Sequence, residues 1–162
     1  MKHVKGTLSL ALAVMMVMAV LVIPASAASS EWVGRFQKFA PTKRTSYQTG
    51  YAKAVQSILL GYDDVTRYYV GNFGGVDGLF GSHTEEAVKH FQSDKGLDVD
   101  SSVGPATWGK MAEVMGTQTS GSVTYFWMGG RNAITAEYSG GVYNFSYHNT
   151  AGIKDSVFAS VY

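Results

Sequence analysis

Glycines divide residues 76–111 into loop, helix, loop and helix, and this pattern constrains the fold more than any other part of the chain. Ser82 and Glu85 have the S-x-x-E spacing of a capping box, which predicts the start of a helix. Gly96 stands where that helix needs a left-handed stop. The Gly-Pro pair at 104–105 then predicts the start of the next helix, because proline is well tolerated in a first turn.

Apolar residues recur at helical spacing in three segments, which predicts three helices that bury these faces against one another. The inward faces consist of Tyr51, Ala54, Val55, Ile58 and Leu59, then Thr84, Ala87, Val88 and Phe91, and finally Trp108, Met111, Ala112 and Met115. We therefore predict a small three-helix bundle over residues 46–115.

The residues of the two loops and their helices resemble the small peptidoglycan-binding domain found beside many bacterial cell-wall hydrolases. That family is marked by Asp-Gly-x-Phe-Gly, Thr-x-x-Ala-Val-x-x-Phe-Gln, Gly-Leu and Val-Gly-x-x-Thr-Trp. The matching residues here are Asp77-Gly78-Leu79-Phe80-Gly81, Thr84 with Ala87-Val88 and Phe91-Gln92, Gly96-Leu97, and Val103-Gly104 with Thr107-Trp108. The resemblance covers about residues 46–115 and implies binding to the bacterial cell wall.

The sequence departs from the family pattern in two places. The connection between Gly61 and Val76 is longer than usual and is rich in aromatic residues, among them Tyr68 and Tyr69. Tyrosine rings offer an apolar face on which sugars stack, although a hairpin packed onto the bundle explains these residues too. In the second loop, Ser101 follows Asp100 where the family has glycine, which leaves the turn type open.

The resemblance and the aromatic insertion together give a set of candidate ligand-binding residues. They are Tyr68, Tyr69, Asp77, Gly78, Gly81, Thr84 and Gln92. Structural explanations remain open for several of them. Asp77 suits an Asx turn, Thr84 lies in a first helical turn, and Gln92 is placed to brace the loop at Gly78.

The pattern changes after residue 121, where apolar and polar residues alternate as in β-strands. The alternating stretches are 123–127, 134–138, 143–147 and 157–161, separated by glycine-rich turns. We predict a small antiparallel β meander over residues 122–162, joined to the bundle by a polar linker at 116–121. Because about forty residues seldom bury enough surface to fold alone, we expect the meander to pack on the bundle or on residues 32–39.

The first 27 residues have the features of a secretory signal peptide. Lys2 and Lys5 form a basic start, and residues 8–23 are an almost unbroken apolar run. An Ala-Ser-Ala pattern follows and predicts cleavage after Ala27. The apolar run is short for a retained membrane anchor, so we expect a secreted protein, extracellular or bound to the cell wall.

After such cleavage an N-terminal segment, 28–45, would precede the bundle. Ser30 is a plausible cap for a short helix in this segment, although Gly34 weakens that prediction. Loss of Lys2 and Lys5 changes the formal net charge from +1 to −1. This near-neutral net charge argues against nucleic acid or an anionic membrane surface as the main partner.

Metal and cofactor sites are not indicated by the sequence. The alternating oxygen-bearing residues Asp98, Asp100 and Ser102 begin like a calcium loop. However, Val103 and Gly109 stand where that loop needs glycine and glutamate. His83 and His90 lie seven residues apart, without the His-Glu-x-x-His pattern of a zinc site. We predict no metal and no cofactor.

No recognisable catalytic pattern accompanies the predicted binding domain. The chain has no cysteine nucleophile, no known serine-hydrolase motif and no recognisable pair of carboxylates. We therefore expect a protein that binds peptidoglycan without cutting it. One alternative is a small wall hydrolase with an unfamiliar site among Glu137, His148 and Asp155. Another is an interaction protein whose β region, 122–162, binds a protein partner.

Overall fold

The computed structural model of the protein describes residues 30–120, 122–128, 134–148 and 154–155. These residues form five helices followed by one five-stranded antiparallel sheet, so the predicted α+β class is confirmed. The helices are α1 (Ser30–Phe36), α2 (Gly50–Tyr62), α3 (Asp64–Gly71), α4 (Ser82–Asp94) and α5 (Pro105–Glu113). The strands are β1 (Gly116–Ser120), β2 (Val123–Met128), β3 (Ile134–Ser139), β4 (Val142–His148) and β5 (Lys154–Asp155).

The predicted signal peptide, residues 1–27, lies outside the described residues. Within the ranges that the structure describes, no helix is both long and apolar enough to cross a membrane.

The three predicted helices correspond to α2, α4 and α5, but the count of three is too low for the described chain. The short helix suggested by Ser30 is present as α1. The further helix, α3, occupies the aromatic insertion, where we had considered a hairpin. Its start is fixed by Asp63, whose carboxylate accepts the Thr66 N–H at 2.7 Å while the Thr66 hydroxyl accepts the Asp63 N–H at 3.2 Å. This reciprocal cap is a local signal that our reading of the sequence missed.

Of the two predictions for the ends of α4, the one for its start is wrong and the one for its end is correct. The N-cap is Gly81, without a side-chain cap, so the predicted capping box of Ser82 and Glu85 is not formed. The Glu85 carboxylate instead pairs with Arg44 at 3.1 Å. At the other end Gly96 has a φ of +65°, and the Leu97 N–H reaches back to the Gln92 carbonyl at 2.9 Å, as in the predicted left-handed stop.

The strands of the sheet follow one another in chain order, as in a meander. The first three predicted strands are confirmed as β2, β3 and β4, whereas the predicted strand at 157–161 lies outside the described residues. The predicted linker is wrong over Gly116–Ser120, which pairs with β2 as strand β1. Gly140 and Gly141, with φ of +60° and +88°, form the two-residue turn between β3 and β4.

The sheet packs on the N-terminal segment, as we expected. Trp32 lies edge-on to Tyr138 with ring centroids 5.2 Å apart, and Phe39 lies 5.0 Å from Tyr143. Phe39 also contacts Trp108 of α5 at 5.1 Å. Since the Trp108 side chain is fully buried, α1 and the turn that follows it join the sheet and the helices into one core.

The segment between α1 and α2 also joins distant parts of the chain, through two backbone bridges. Thr42 pairs through its backbone with Val103, and Gln48 pairs with Leu79. Residues 42–48 therefore run past both predicted loops and attach each of them to the N-terminal part of the chain.

Candidate functional site

The first loop, residues 77–79, is held by a buried glutamine of α2. The Gln56 amide oxygen accepts the N–H of Gly78 at 2.8 Å, and its nitrogen donates to the Asp77 carboxylate at 2.8 Å. The same nitrogen lies 3.1 Å from the Leu79 carbonyl oxygen and 3.2 Å from the Thr84 hydroxyl. Asp77 completes the turn by accepting the Leu79 N–H at 2.8 Å. Gln56, and not the predicted Gln92, is therefore the brace of the Gly78 loop.

Gln92 of α4 braces the second loop, residues 100–102, in the same way. Its amide oxygen accepts the Ser101 N–H at 2.9 Å, and its nitrogen donates to the Asp100 carboxylate at 2.8 Å. The nitrogen also lies 2.9 Å from the Ser102 carbonyl oxygen and 3.2 Å from the Thr107 hydroxyl. The Asp100 carboxylate accepts the Ser102 N–H at 2.8 Å. The two loops are thus structurally equivalent, which shows an internal repeat.

The equivalent positions Gly78 and Ser101 both adopt a left-handed backbone, with φ of +83° and +61°. A Cβ at Gly78 would lie 2.9 Å from the Lys53 side chain and 3.1 Å from the Thr49 carbonyl oxygen. Gly78 therefore allows a close approach of α2. Ser101 settles the question left by the sequence, because the second loop keeps the turn of the first although it lacks glycine.

Most of the residues predicted to contact ligand in these loops serve the fold. Gln92 is 1% exposed and Thr84 is 5% exposed, so neither presents much surface. The Asp77 carboxylate and the Gly78 N–H are occupied by Gln56. Gly81 is the N-cap of α4 and donates its N–H to the Leu79 carbonyl at 2.8 Å.

The predicted tyrosines lie on α3, but they differ in exposure. The Tyr68 side chain is 54% exposed, whereas Tyr69 is partly buried and packs against the core. Tyr68 lies edge-on to Phe73, which is 44% exposed, with ring centroids 5.7 Å apart. The Phe73 ring is in turn stacked parallel on His83 of α4, with a centroid distance of 3.7 Å and an angle of 7°. We call Tyr68, Phe73 and His83 the aromatic patch.

A shallow groove of about 340 Å³ adjoins this patch. Tyr68 and Arg67 line it together with Asn72 at the end of α3. Arg67 also pairs with Asp64, which lines the groove as well. The site therefore joins flat apolar faces to hydrogen-bonding side chains, which is the combination that a sugar ring needs.

The position of α3 depends on Asp63, which links it to α4. The Asp63 carboxylate caps α3 and lies 2.8 Å from Nε2 of His90. Burial raises the pKa of this carboxyl, but the hydrogen bonds from Thr66 and His90 outweigh it and hold the Asp63 pKa below its usual value. The ionised carboxylate thus fastens the helix that carries Tyr68.

The histidines considered for a metal site have other contacts, since His83 stacks on Phe73 and His90 meets Asp63. Among the described residues, no group of three potential metal ligands lies together.

The groups suspected in the hydrolase alternative fall on the sheet. Glu137 is paired with Asn144, four residues along β4 from His148, which corresponds to about 13 Å. Asp155 is paired with Tyr147, next to His148 in sequence. The backbone register therefore brings Asp155 near His148 and leaves Glu137 apart from them.

Comparison with known families gives a match within the helical part of the chain. Residues 58–111 match the family model described as "Putative peptidoglycan binding domain". This is the family that the motifs resemble, so that prediction is confirmed. We call residues 58–111 the matched segment. It contains α3, both braced loops and the aromatic patch, and it begins just after the Gln56 brace. No curated protein and no solved structure gave a significant match to the chain.

Proposed function

We propose that the protein is secreted and binds the peptidoglycan of a bacterial cell wall without cleaving it. The observation that carries this proposal is the family match over the segment that holds both braced loops. Export is supported by the basic start, apolar run and small-residue pattern of the first 27 residues. The proposal of binding alone is supported by the chain's lack of cysteine and of a known hydrolase motif.

We further propose that the ligand contacts the aromatic patch. The polar groups of the loops are used inside the domain, where Gln56 and Gln92 satisfy them. A ligand surface must therefore come from groups that the core does not need. Tyr68 and Phe73 are such groups, because their rings are about half exposed and lie in the matched segment.

The chemistry of the patch fits a glycan with acetylated sugars. The parallel Phe73 and His83 rings form a flat element, and the edge-on Tyr68 ring adds a second face at an angle. Sugar rings and methyl groups stack on such faces, while Arg67 and Asn72 are placed to bond hydroxyl and amide groups. Tyr69 supports Tyr68, with centroids 5.6 Å apart, and is proposed to position the patch more than to contact ligand.

The test is a pull-down of the purified protein with isolated sacculi, followed by assay of released muropeptides. The variant Tyr68→Ala with Phe73→Ala should bind roughly thirtyfold more weakly, since two lost rings at about 1 kcal/mol each make about 2 kcal/mol. Its melting temperature should stay close to that of the parent, because both side chains are about half exposed and lie outside the core. Tyr47→Ala is the matched control, since Tyr47 is 67% exposed and belongs to neither the patch nor the matched segment.

Three results would contradict parts of the proposal. Parent protein that fails to sediment with sacculi would refute wall binding. Unchanged binding by the double variant would show that the ligand lies elsewhere. Release of muropeptides by the parent would show that the protein is a hydrolase. Asp155→Asn and His148→Ala would then be the next variants, because the sheet register brings these two residues together.

A further inference from the structure

A groove of about 590 Å³ lies between α1 and the hairpin of β3 and β4, outside the matched segment. We propose that this groove is a second binding site, for a ligand that carries a carboxylate beside a compact apolar or ring-shaped body. This site is independent of the aromatic patch.

The helical wall of the groove is one face of α1 and the turn after it. Glu31, Gly34, Arg35 and Lys38 line it, and their spacing of three, four and seven residues places them on the same side. The Lys38 N–H bonds to the Arg35 carbonyl oxygen at 3.1 Å, so the helical turn continues as far as this lysine.

The opposite wall and the floor are aromatic. Tyr138 and Tyr143 come from the hairpin, with ring centroids 4.7 Å apart, and Phe39 lies 5.0 Å from Tyr143. Burial raises the pKa of Tyr143 to about 12, so its hydroxyl remains neutral at physiological pH. The aromatic wall therefore adds no negative charge that would repel an anion.

Arg35 holds the two walls in a fixed relation. Its guanidinium donates to the Glu31 carboxylate at 2.9 Å and to the Tyr138 hydroxyl at 2.9 Å. It also lies 4.9 Å from the centre of the Trp32 ring and 5.2 Å from that of Tyr138. These contacts fix the guanidinium between the two walls, so binding would require little reorganisation of the groove.

Gly34 keeps the groove open in the middle of the helical wall. Glycine destabilises a helix interior relative to alanine, and packing does not require it here, since a Cβ would have no neighbour within 4 Å. A larger side chain at this position would occupy the groove. The chain thus carries a poor helix former at the point where any side chain would reduce the volume of the site.

The charge of the groove indicates an anionic ligand. Glu31 is paired with Arg35, and this leaves Lys38 as the uncompensated charge. The Lys38 side chain is exposed and has no hydrogen bond or ion pair with the described residues. A carboxylate would supply its partner. Ligand pockets have volumes of roughly 300–1,000 Å³, so this groove suits a dipeptide or one to two sugar rings.

Two sources offer this chemistry, the free end of a peptide and an acidic sugar. The first pair of probes is alanyl-alanine and its C-terminal amide, and the second is N-acetylmuramic acid and N-acetylglucosamine. Each probe is titrated into ¹⁵N-labelled protein to about 10 mM, which detects dissociation constants in the millimolar range. We expect an acidic probe to shift the amide signals of Gly34 and Gly141, and its neutral counterpart to bind several-fold more weakly.

Substitutions at Lys38 and Gly34 test whether the probe binds in this groove. Lys38→Gln should weaken binding of the acidic probe about tenfold, since it removes a charge-assisted contact. Lys43→Gln is the matched control, because Lys43 is exposed and does not line the groove, and it should leave binding unchanged. Gly34→Leu should abolish binding by filling the groove. If that variant does not fold, the result for Lys38→Gln still tests the proposal.

A response to the peptide acid alone identifies a peptide end as the ligand, and a response to the sugar acid alone identifies an acidic sugar. The proposal is overturned if no probe shifts the groove signals, if acid and neutral forms bind equally, or if Lys38→Gln has no effect. Because the probes are small and soluble, these results do not depend on whether the protein binds sacculi through the aromatic patch.

Discussion

The brace of the first loop gives the sharpest test of how this fold is held together. The Gln56 side chain is 2% exposed and satisfies the N–H of Gly78, which is buried. Replacement by leucine keeps a similar volume but removes every one of its hydrogen bonds. A buried group left unpaired costs about 1–3 kcal/mol, as for the Gly78 N–H here, and the lost hydrogen bond from Gln56 to the Asp77 carboxylate costs about 1.5–3 kcal/mol more. We expect Gln56→Leu to lower the free energy of unfolding by about 3–5 kcal/mol.

The assay is urea unfolding followed by circular dichroism, with the midpoint and slope measured for each variant. Gln92→Leu should cost a similar amount, because the second glutamine makes the equivalent contacts to the Asp100 loop. Gln48→Leu is the control, since Gln48 is exposed and its bridge to Leu79 uses the backbone, so the change should stay within about 0.5 kcal/mol. If Gln56→Leu unfolds at the same midpoint as the control, Gln56 does not stabilise the first loop. If Gln56→Leu is strongly destabilised but Gln92→Leu is not, the two loops are not equivalent.

Further predictions concern single positions. The Ser57 hydroxyl is buried without a partner in the described part of the chain, so Ser57→Ala should raise the unfolding free energy by about 1 kcal/mol, and a lowered melting temperature would contradict this. Gly78→Ala should cost at least about 2 kcal/mol, because it adds a close contact to a left-handed backbone, whereas Ser101→Gly should be tolerated in the same melting experiment. Phe91→Ala should cost about 3–5 kcal/mol in urea unfolding, since its ring is fully buried, and a smaller loss would place this ring outside the core. The lowered pKa of Asp63 stabilises the fold above the carboxyl's unfolded pKa of about 4, and this contribution is lost as the pH falls through the lower folded value. Unfolding midpoints of the parent and Asp63→Asn should therefore differ at pH 7 and converge in acid, and a constant difference would argue against this role.

The sequence by itself determined the features that depend on residues a few positions apart. Gly96 requires only its own helix to form the left-handed stop, and the Gly-Pro start of α5 is equally local. Alternation along β2, β3 and β4 predicted those strands before any partner was known. The motif residues likewise predicted the family, because their identities and their order along the chain match its pattern.

Only the tertiary structure decided how distant segments share hydrogen bonds and apolar surface. Gln56 and the Gly78 loop are 22 residues apart, and nothing near either one shows which glutamine reaches which loop. The polar stretch of β1 becomes a strand because β2 offers it backbone partners, and no alternation in its own sequence predicted this. Tyr68 and Tyr69 are adjacent in sequence, yet the packing of α3 exposes one and partly buries the other. The groove beside Gly34 exists only because a hairpin about 100 residues later packs against α1. Such contacts form when burial of apolar surface outweighs the entropy of bringing distant segments together, and that balance is a property of the whole chain.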